Sequence, residues 1–253
     1  MVDKMQASIW EDISSTFEFI FFEALPRFWQ GLLMTLIIAG LGILIGFCLG
    51  ILVGAGRGFG GKFISKLCGL YTEIIRGIPL IVQILIWRYA FPGLIKSITG
   101  YDIYGPFMNP GMIATIIAIG LNSGAYQAEI IRAGINAIPT GQTEAGLSVG
   151  LSKKQVIQLI VLPQALRHSI PPLINEFVIV IKDTSLALAV GVTELTSIAQ
   201  SLTSDAPGQV FTIYITSALI YLAICTTVSF LSKFLEKKLK IAGYGTQKRR
   251  SLL

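Results

Sequence analysis

Apolar residues fill five long stretches of this chain, residues 30–54, 67–91, 110–131, 170–192 and 210–231, and most polar residues gather between them. A helix crosses the hydrocarbon of a bilayer with about 20 predominantly apolar residues. Residues 30–54 and 210–231 meet that requirement, with no ionisable side chain except Cys48, Cys225, Tyr214 and Tyr221. The other three stretches carry charges. A charge at mid-membrane costs about 2.5–3.5 kcal/mol on insertion scales, so these residues are expected to face a bundle interior, a partner subunit or an aqueous path. The uncharged first and fifth stretches are then expected to wrap the charged second, third and fourth. The pattern predicts an all-α integral membrane protein with five transmembrane helices and its termini on opposite sides. Composition agrees: 53% of residues are hydrophobic and 13% charged, and the mean hydropathy of +0.71 excludes an ordinary soluble domain.

Basic residues orient the chain, because cytoplasmic loops hold the excess of lysine and arginine. Arg57, Lys62 and Lys66 follow the first stretch; Lys153, Lys154 and Arg167 follow the third; Lys233, Lys237, Lys238, Lys240, Lys248, Arg249 and Arg250 follow the fifth. The opposite segments hold only Lys4, Arg27 and Lys96, and residues 193–209 hold none. The N-terminus is therefore expected outside and the C-terminus in the cytoplasm. The acidic lead of Asp3, Glu11, Asp12, Glu18 and Glu23 does not read as a cleavable signal peptide. Residues 1–29, with Trp10, Phe17, Phe21, Phe22, Phe28 and Trp29, suit a short extracytoplasmic segment at the interface. Residues 30–237 form the membrane domain and residues 238–253 a basic cytoplasmic tail. That tail carries most of the net charge of +6, which reads as topology and attraction to anionic lipid rather than nucleic-acid binding. Cys48, Cys68 and Cys225 have no metal-ligand spacing, and no disulfide framework or metal site is implied.

The insert between the third and fourth stretches, residues 139–167, is polar and interrupted by turns. Pro139 and Gly141 signal a turn, residues 140–143 offer a cap ahead of Glu144, and one short helix is expected to begin there. Gly150 can end it in a left-handed conformation or allow close approach, and Ser152 can cap a second helix with apolar Val156, Ile157, Ile160 and Val161 on one side. Pro163 is expected to break the chain before the fourth span. A water-compatible hairpin in a lipid-soluble chain points to a soluble partner that grips it.

Glu144, Ala145, Gly150, Ile160, Leu162 and Pro163, in this spacing, resemble the EAA loop of permease subunits of ATP-binding-cassette importers. The motif's usual third residue, alanine, is Gly146 here. Glu73, Arg76, Gly77, Pro79 and Gln83, then Ala128, Glu129, Arg132 and Gly134, then Gly141 and Gln142, then the run Ile181, Lys182, Asp183, Thr184, Ser185 and Leu186 resemble the permeases for polar or charged amino acids. The resemblance spans residues 31–240. It implies a type I importer in the prokaryotic inner membrane. Two permease subunits, identical or paralogous, would work with a dimer of ABC ATPase subunits and an extracytoplasmic amino-acid-binding protein, by alternating access. The loop would be the coupling helix that docks on the ATPase. ATP and Mg would belong to that partner, since this chain has no GxxxxGK(S/T) loop and is expected to hold no cofactor and do no covalent chemistry itself.

An amino acid zwitterion needs groups of both signs along its path. Glu176 and Asp183 stand seven residues apart, two turns on one helical face, with Asn175 and Lys182 on the neighbouring face. Asn122, Ser123, Tyr126 and Glu129 mark the third stretch, and Arg76 and Gln83 the second; Thr184 and Ser185 complete the candidates for the substrate path. Each has a structural alternative. Glu129 with Arg132, and Glu73 with Arg76, stand at ion-pair spacing, and Lys182, Asp183 and Glu176 could pair with one another or across a subunit interface. Pro79 is expected to kink the second stretch. Gly42, Gly46, Gly50 and Gly54 recur every fourth residue and invite another helix close. His168, the one histidine, reads as a pH sensor or as interfacial packing. An ion-coupled secondary carrier could use the same carboxylates, but it needs no docking insert; a permease for another small polar solute would share every feature.

Overall fold

The computed structural model describes residues 14–104 and 109–239, so Trp10 and residues 240–253 of the basic tail lie outside the described residues. Every described element is helical. Helix α1 (Leu25–Phe59) continues from a π-helical turn, Phe19–Ala24, within one helix running from Ser14 to Phe59. Next come α2 (Lys62–Gly77), α3 (Leu80–Leu85), a π-helical turn at Ile86–Ala90 and α4 (Phe91–Thr99). The long α5 (Pro110–Asn136) leads to the short α6 (Thr140–Ser148) and α7 (Lys153–Val156), a π-helical turn (Ile157–Val161) and α8 (Leu162–Asp183). A 3-10 segment (Thr184–Val190), α9 (Leu195–Asp205) and α10 (Val210–Leu239) complete the chain.

Among the described residues three helices are long and apolar enough to cross a membrane: Ser14–Phe59, Leu80–Thr99 and Pro207–Leu231. The first holds 46 residues, roughly 69 Å of helix, so it extends beyond a hydrocarbon core of about 30 Å. The stretch that begins at residue 110 lies in α5, the most enclosed helix, which buries Asn122, Ser123 and Gln127 along with its alanines and isoleucines. The stretch that begins at residue 170 lies in α8 and the 3-10 segment after it.

The glycine stripe of α1 is the seam against α5. A Cβ on Gly42 would come within 2.6 Å of Ile119, one on Gly46 within 3.1 Å of the Gly124 amide, and one on Gly50 within 2.6 Å of the Gln127 Cβ. Gly120 and Gly124 of α5 receive Ile45 and Leu49 of α1 in return. Backbones can approach this closely only without side chains between them. Gly50→Leu is expected to destabilise the chain by about 1–3 kcal/mol through overpacking, read as a lower midpoint of thermal unfolding in detergent. Gly40→Leu, where a Cβ meets nothing within 4 Å, is the control.

The expected grouping of wrapper and interior is altered in one respect. Helix α1 is buried along its glycine face, whereas only 11% of the apolar window in Leu80–Thr99 is buried. The proline break explains it: Glu73 and Arg76 belong to α2, below Pro79, and the helix above it exposes Val82, Leu85, Ile86, Leu94 and Ile98.

The segment 193–209 contains a helix, α9, held at three points. The buried Glu194 carboxylate accepts the amides of Thr196 (2.9 Å) and Ser197 (2.7 Å) and the hydroxyl of Tyr221 (3.0 Å). Thr35 accepts the Leu195 amide at 3.2 Å. At the far end Arg27 donates to Asp205 (2.7 Å) and Ser201 (2.8 Å). The cap thus ties α9 to both α1 and α10.

Candidate translocation cavity and coupling loop

Pro79 is the origin of the cavity. Residues Ile78 and Pro79 leave helical geometry, with Ile78 at φ −103° and ψ 129°, and α2 ends before α3 begins. The expected kink is a full break. The break is braced by Gln83, whose side-chain amide donates to the carbonyls of Ile75 (2.8 Å) and Ile78 (2.9 Å); the Ile75 carbonyl also accepts the Ile78 amide at 3.4 Å. Gln83 is therefore buried behind the break and outside the lining of the space that the break opens.

That space is a cavity of about 500 Å³. Gly77, Ile78, Pro79 and Leu80 give one wall, Asn122 and Tyr126 of α5 a second, and Glu176, Ile179 and Asp183 of α8 a third, with Arg76 at its edge. The Arg76 guanidinium lies 4.8 Å from the Tyr126 ring centre, an arrangement that holds a cation by the ring's quadrupole. Among the described residues it makes no ion pair with Glu73. Glu176 is buried and accepts the Ser123 hydroxyl at 3.1 Å, and Ser123 in turn accepts the Gln127 amide at 3.0 Å. Arg76 and Asp183 both lie within Coulombic reach of Glu176. The cavity thus holds two carboxylates, one guanidinium and a carboxamide.

The remaining candidates lie elsewhere. Asn175 and Lys182 are exposed on the neighbouring face of α8 and do not line the cavity. Thr184 is buried and donates to the Ile181 carbonyl at 2.7 Å, closing the turn after Asp183; Ser185 follows, half-buried. Glu129 sits toward the end of α5 in an ionic cluster. It accepts Arg132 at 2.9 Å and pairs with Arg57 of α1, which also donates to the Thr72 hydroxyl at 2.8 Å. Arg57 was legible only as a topological charge, although it follows Gly54 by three residues and so continues the face that meets α5. Arg57→Met is expected to cost about 1.5–3 kcal/mol, the worth of hydrogen bonds to a partly buried charge, measured as lost thermal stability that Glu129→Gln in the same chain partly restores.

The insert forms two helices around a glycine turn. Gly150 has φ +87°, the Leu151 amide reaches the Gly146 carbonyl (3.2 Å) and the Gly150 amide the Leu147 carbonyl (3.0 Å), which is a Schellman ending. Ser152 and Gln155 form a reciprocal capping box. Gly146 is buried, and a Cβ there would come within 2.7 Å of Ile160 and 2.9 Å of Val156, so glycine at this motif position lets α6 lie close on the second helix. Two expectations are corrected. Helix α6 starts at Thr140 directly after Pro139, whose φ of −60° is already suited to a helix entry, so Glu144 lies beyond the first turn. Pro163 breaks nothing: the π-helical turn Ile157–Val161 runs straight into α8, and the wider turn accommodates a residue without an amide hydrogen.

Val156, Val161 and Ala165 pack with Ile131, Ile135 and Ile138, so the hairpin is anchored to the end of α5. Glu144 and Ala145 are exposed, and so are the large apolar side chains of Leu147 (41%), Val149 (78%) and Leu159 (65%). Ile160 and Leu162 are half-buried and Pro163 is exposed.

This architecture matches known proteins. Residues 50–241 match the family described as binding-protein-dependent transport system inner membrane component. The glutamine transport system permease protein GlnP of Escherichia coli is 38% identical over 218 residues, covering 86% of this chain and 95% of that protein. The L-cystine transport system permease protein TcyB of Bacillus subtilis is 36% identical over 209 residues, covering 83% and 85%. A solved amino acid ABC transporter with histidines superposes with a TM-score of 0.74 at 33% identity, over 84% of this chain and 94% of that one. With more than half of its length matched by that family, and with a transporter of 33% identity superposing over most of both chains, the chain belongs to the binding-protein-dependent transport system inner membrane components.

Proposed function

We propose that this chain is the permease subunit of an ATP-driven importer of a polar or charged amino acid. Five crossings, with the N-terminus outside and the C-terminus in the cytoplasm, satisfy both the apolar pattern and the distribution of lysine and arginine. Residues 30–237 make the membrane domain, and the loop of residues 139–167 docks on the ATPase dimer, which holds ATP and Mg. A second permease, the same chain or a paralogue, completes the pore, and an extracytoplasmic binding protein delivers the ligand. The relatives for glutamine and cystine, and the transporter solved with histidines, support an amino acid as cargo.

The observation that carries the reading is the cavity at the Pro79 break. Its carboxylates, Glu176 and Asp183, suit the α-ammonium of an amino acid, and Arg76 suits the α-carboxylate, while Asn122 supplies a neutral donor and acceptor. Lined by α2, α3, α5 and α8, the cavity changes shape when those helices shift, as alternating access requires. The exposed Leu147, Val149 and Leu159 on an otherwise polar hairpin give the ATPase an apolar surface to grip.

The deciding experiment measures ATPase activity of the chain with its co-purifying ATPase in nanodiscs, titrated with the binding protein and the twenty amino acids. Stimulation by one chemical group of amino acids is the expected result. Failure to retain any ATPase, or activity indifferent to receptor and ligand, would overturn the reading.

A further inference from the structure

A second polar cavity, about 310 Å³, lies at the far end of the Leu80–Thr99 helix, and the transport reading makes no use of it. Its construction follows from Pro92. In the π-helical turn Ile86–Ala90 the Phe91 amide reaches back five residues to the Ile86 carbonyl. The next amide in that register would be that of Pro92, which has no N–H, so the Trp87 carbonyl lacks this backbone donor. The Tyr104 hydroxyl donates to it instead, at 2.7 Å. That bond folds residues 102–104 back over the helix and encloses Arg88, Tyr89, Lys96 and Asp102 around the cavity.

Among the described residues the charges there do not balance. Asp102 accepts the Tyr104 amide at 3.1 Å with one oxygen and faces the Lys96 ammonium at 3.9 Å with the other. Arg88 makes no ion pair among the described residues, its Nε is buried without a hydrogen-bond partner, and its guanidinium lies 4.7 Å from the Tyr89 ring centre. Burial pushes the Tyr104 hydroxyl above its ordinary pKa; Arg88 pulls it back and Asp102 adds to the rise, so Tyr104 stays a neutral donor. Two cations and one carboxylate leave one positive charge, the complement of a monoanionic oxyacid.

Depth selects the source of that anion. Arg88 lies eight residues beyond Leu80, roughly 12 Å along the helix, against a hydrocarbon half-thickness of about 15 Å. With residues 67–91 as the crossing, an assignment that rests on the proposed function, Pro79 lies at its midpoint and Arg88 reaches the boundary between acyl chains and headgroups. Val82, Leu85 and Ile86 are exposed below it, and Tyr89 and Tyr101 are exposed at and above it, as in an aromatic belt. We propose that this cavity binds the phosphate of an outer-leaflet phospholipid, with Arg88 and Lys96 on the phosphate oxygens and the acyl chains along Val82, Leu85 and Ile86.

The test uses the delipidated full chain with its ATPase in detergent, titrated by native mass spectrometry with phosphatidylglycerol, with diacylglycerol of the same chains, with inorganic phosphate and with glutamine. Phosphatidylglycerol is expected to be retained about tenfold better than diacylglycerol. Arg88→Gln is expected to remove that preference, and Lys96→Gln, at an exposed position that folding does not need, to weaken it. Equal retention of the two lipids, unchanged phosphatidylglycerol retention in both variants, or its displacement by glutamine or inorganic phosphate would overturn the proposal. Ligand-stimulated ATPase activity, recorded on the same samples, is expected to persist in Lys96→Gln. Its absence from the unaltered complex would count against the transport reading and leave the lipid measurement standing.

Discussion

A Gly150→Val chain is expected to enter the membrane at the unaltered level yet lose its ATPase on purification, with uptake falling about tenfold or more. The argument is conformational. Gly150 holds φ +87°, and a Cβ built on it meets nothing within 4 Å, so the cost of a side chain there comes from the backbone alone. Left-handed geometry costs an L-residue about 1–2 kcal/mol, and a β-branched residue tolerates it least. The turn relieves that strain by abandoning the Schellman bonds from Leu151 and Gly150, which turns α6 away from Val156 and Ile160 and scatters the exposed Leu147, Val149 and Leu159. Packing inside the membrane is untouched. Gly141→Ala is the matched control, for that glycine also has open space around its Cβ but lies in α6 without a positive φ. Co-purification of the ATPase and uptake, measured together, check the pair. Wild-type association in Gly150→Val would mean that the loop is not the docking element.

What the sequence disclosed, and what it withheld, follows from the range of the interactions involved. The Gly150 turn, the Ser152 cap, the Glu129–Arg132 pair and the glycine stripe of α1 were legible because each is written within a few residues or in a helical period. The exposure of Leu80–Thr99 was not legible, because a proline break separates an apolar helix from the charged segment with which it shares one hydropathy peak. Pro163 misled for a related reason: a π-helical turn absorbs the missing amide, and nothing in the local pattern announces such a turn. Gln83 and Arg57 were misjudged through their partners. One amide donates to carbonyls five and eight residues back, and one guanidinium reaches a carboxylate on another helix. Of the residues placed on the substrate path, Glu176, Asp183, Arg76 and Asn122 converge on one cavity because α2, α3, α5 and α8 meet at the Pro79 break, a convergence that no single helical face encodes.

That convergence makes Glu176→Gln the substitution with the largest expected effect on transport. Glu176 is 6% exposed, and its carboxylate lines the cavity while accepting the Ser123 hydroxyl at 3.1 Å. Glutamine keeps the shape and a carbonyl acceptor for Ser123, so the unfolding midpoint is expected to stay close to that of the unaltered chain. The charge is lost, however, and with it a charge-assisted hydrogen bond to the ligand ammonium, worth about 1.5–3 kcal/mol, which corresponds to about a 10- to 150-fold rise in KM for uptake. Asp183→Asn is expected to act in the same direction by less, since Asp183 lies at the end of α8 beside Lys182 and is more exposed. Asn175→Ala and Lys182→Gln, on the exposed neighbouring face, are expected to leave KM within about twofold. Uptake into proteoliposomes against external amino-acid concentration separates these outcomes. A normal KM in Glu176→Gln together with a large defect in Lys182→Gln would move the path to the face of α8 that bears Asn175 and Lys182, and would make the cavity at the Pro79 break a hinge rather than a binding site.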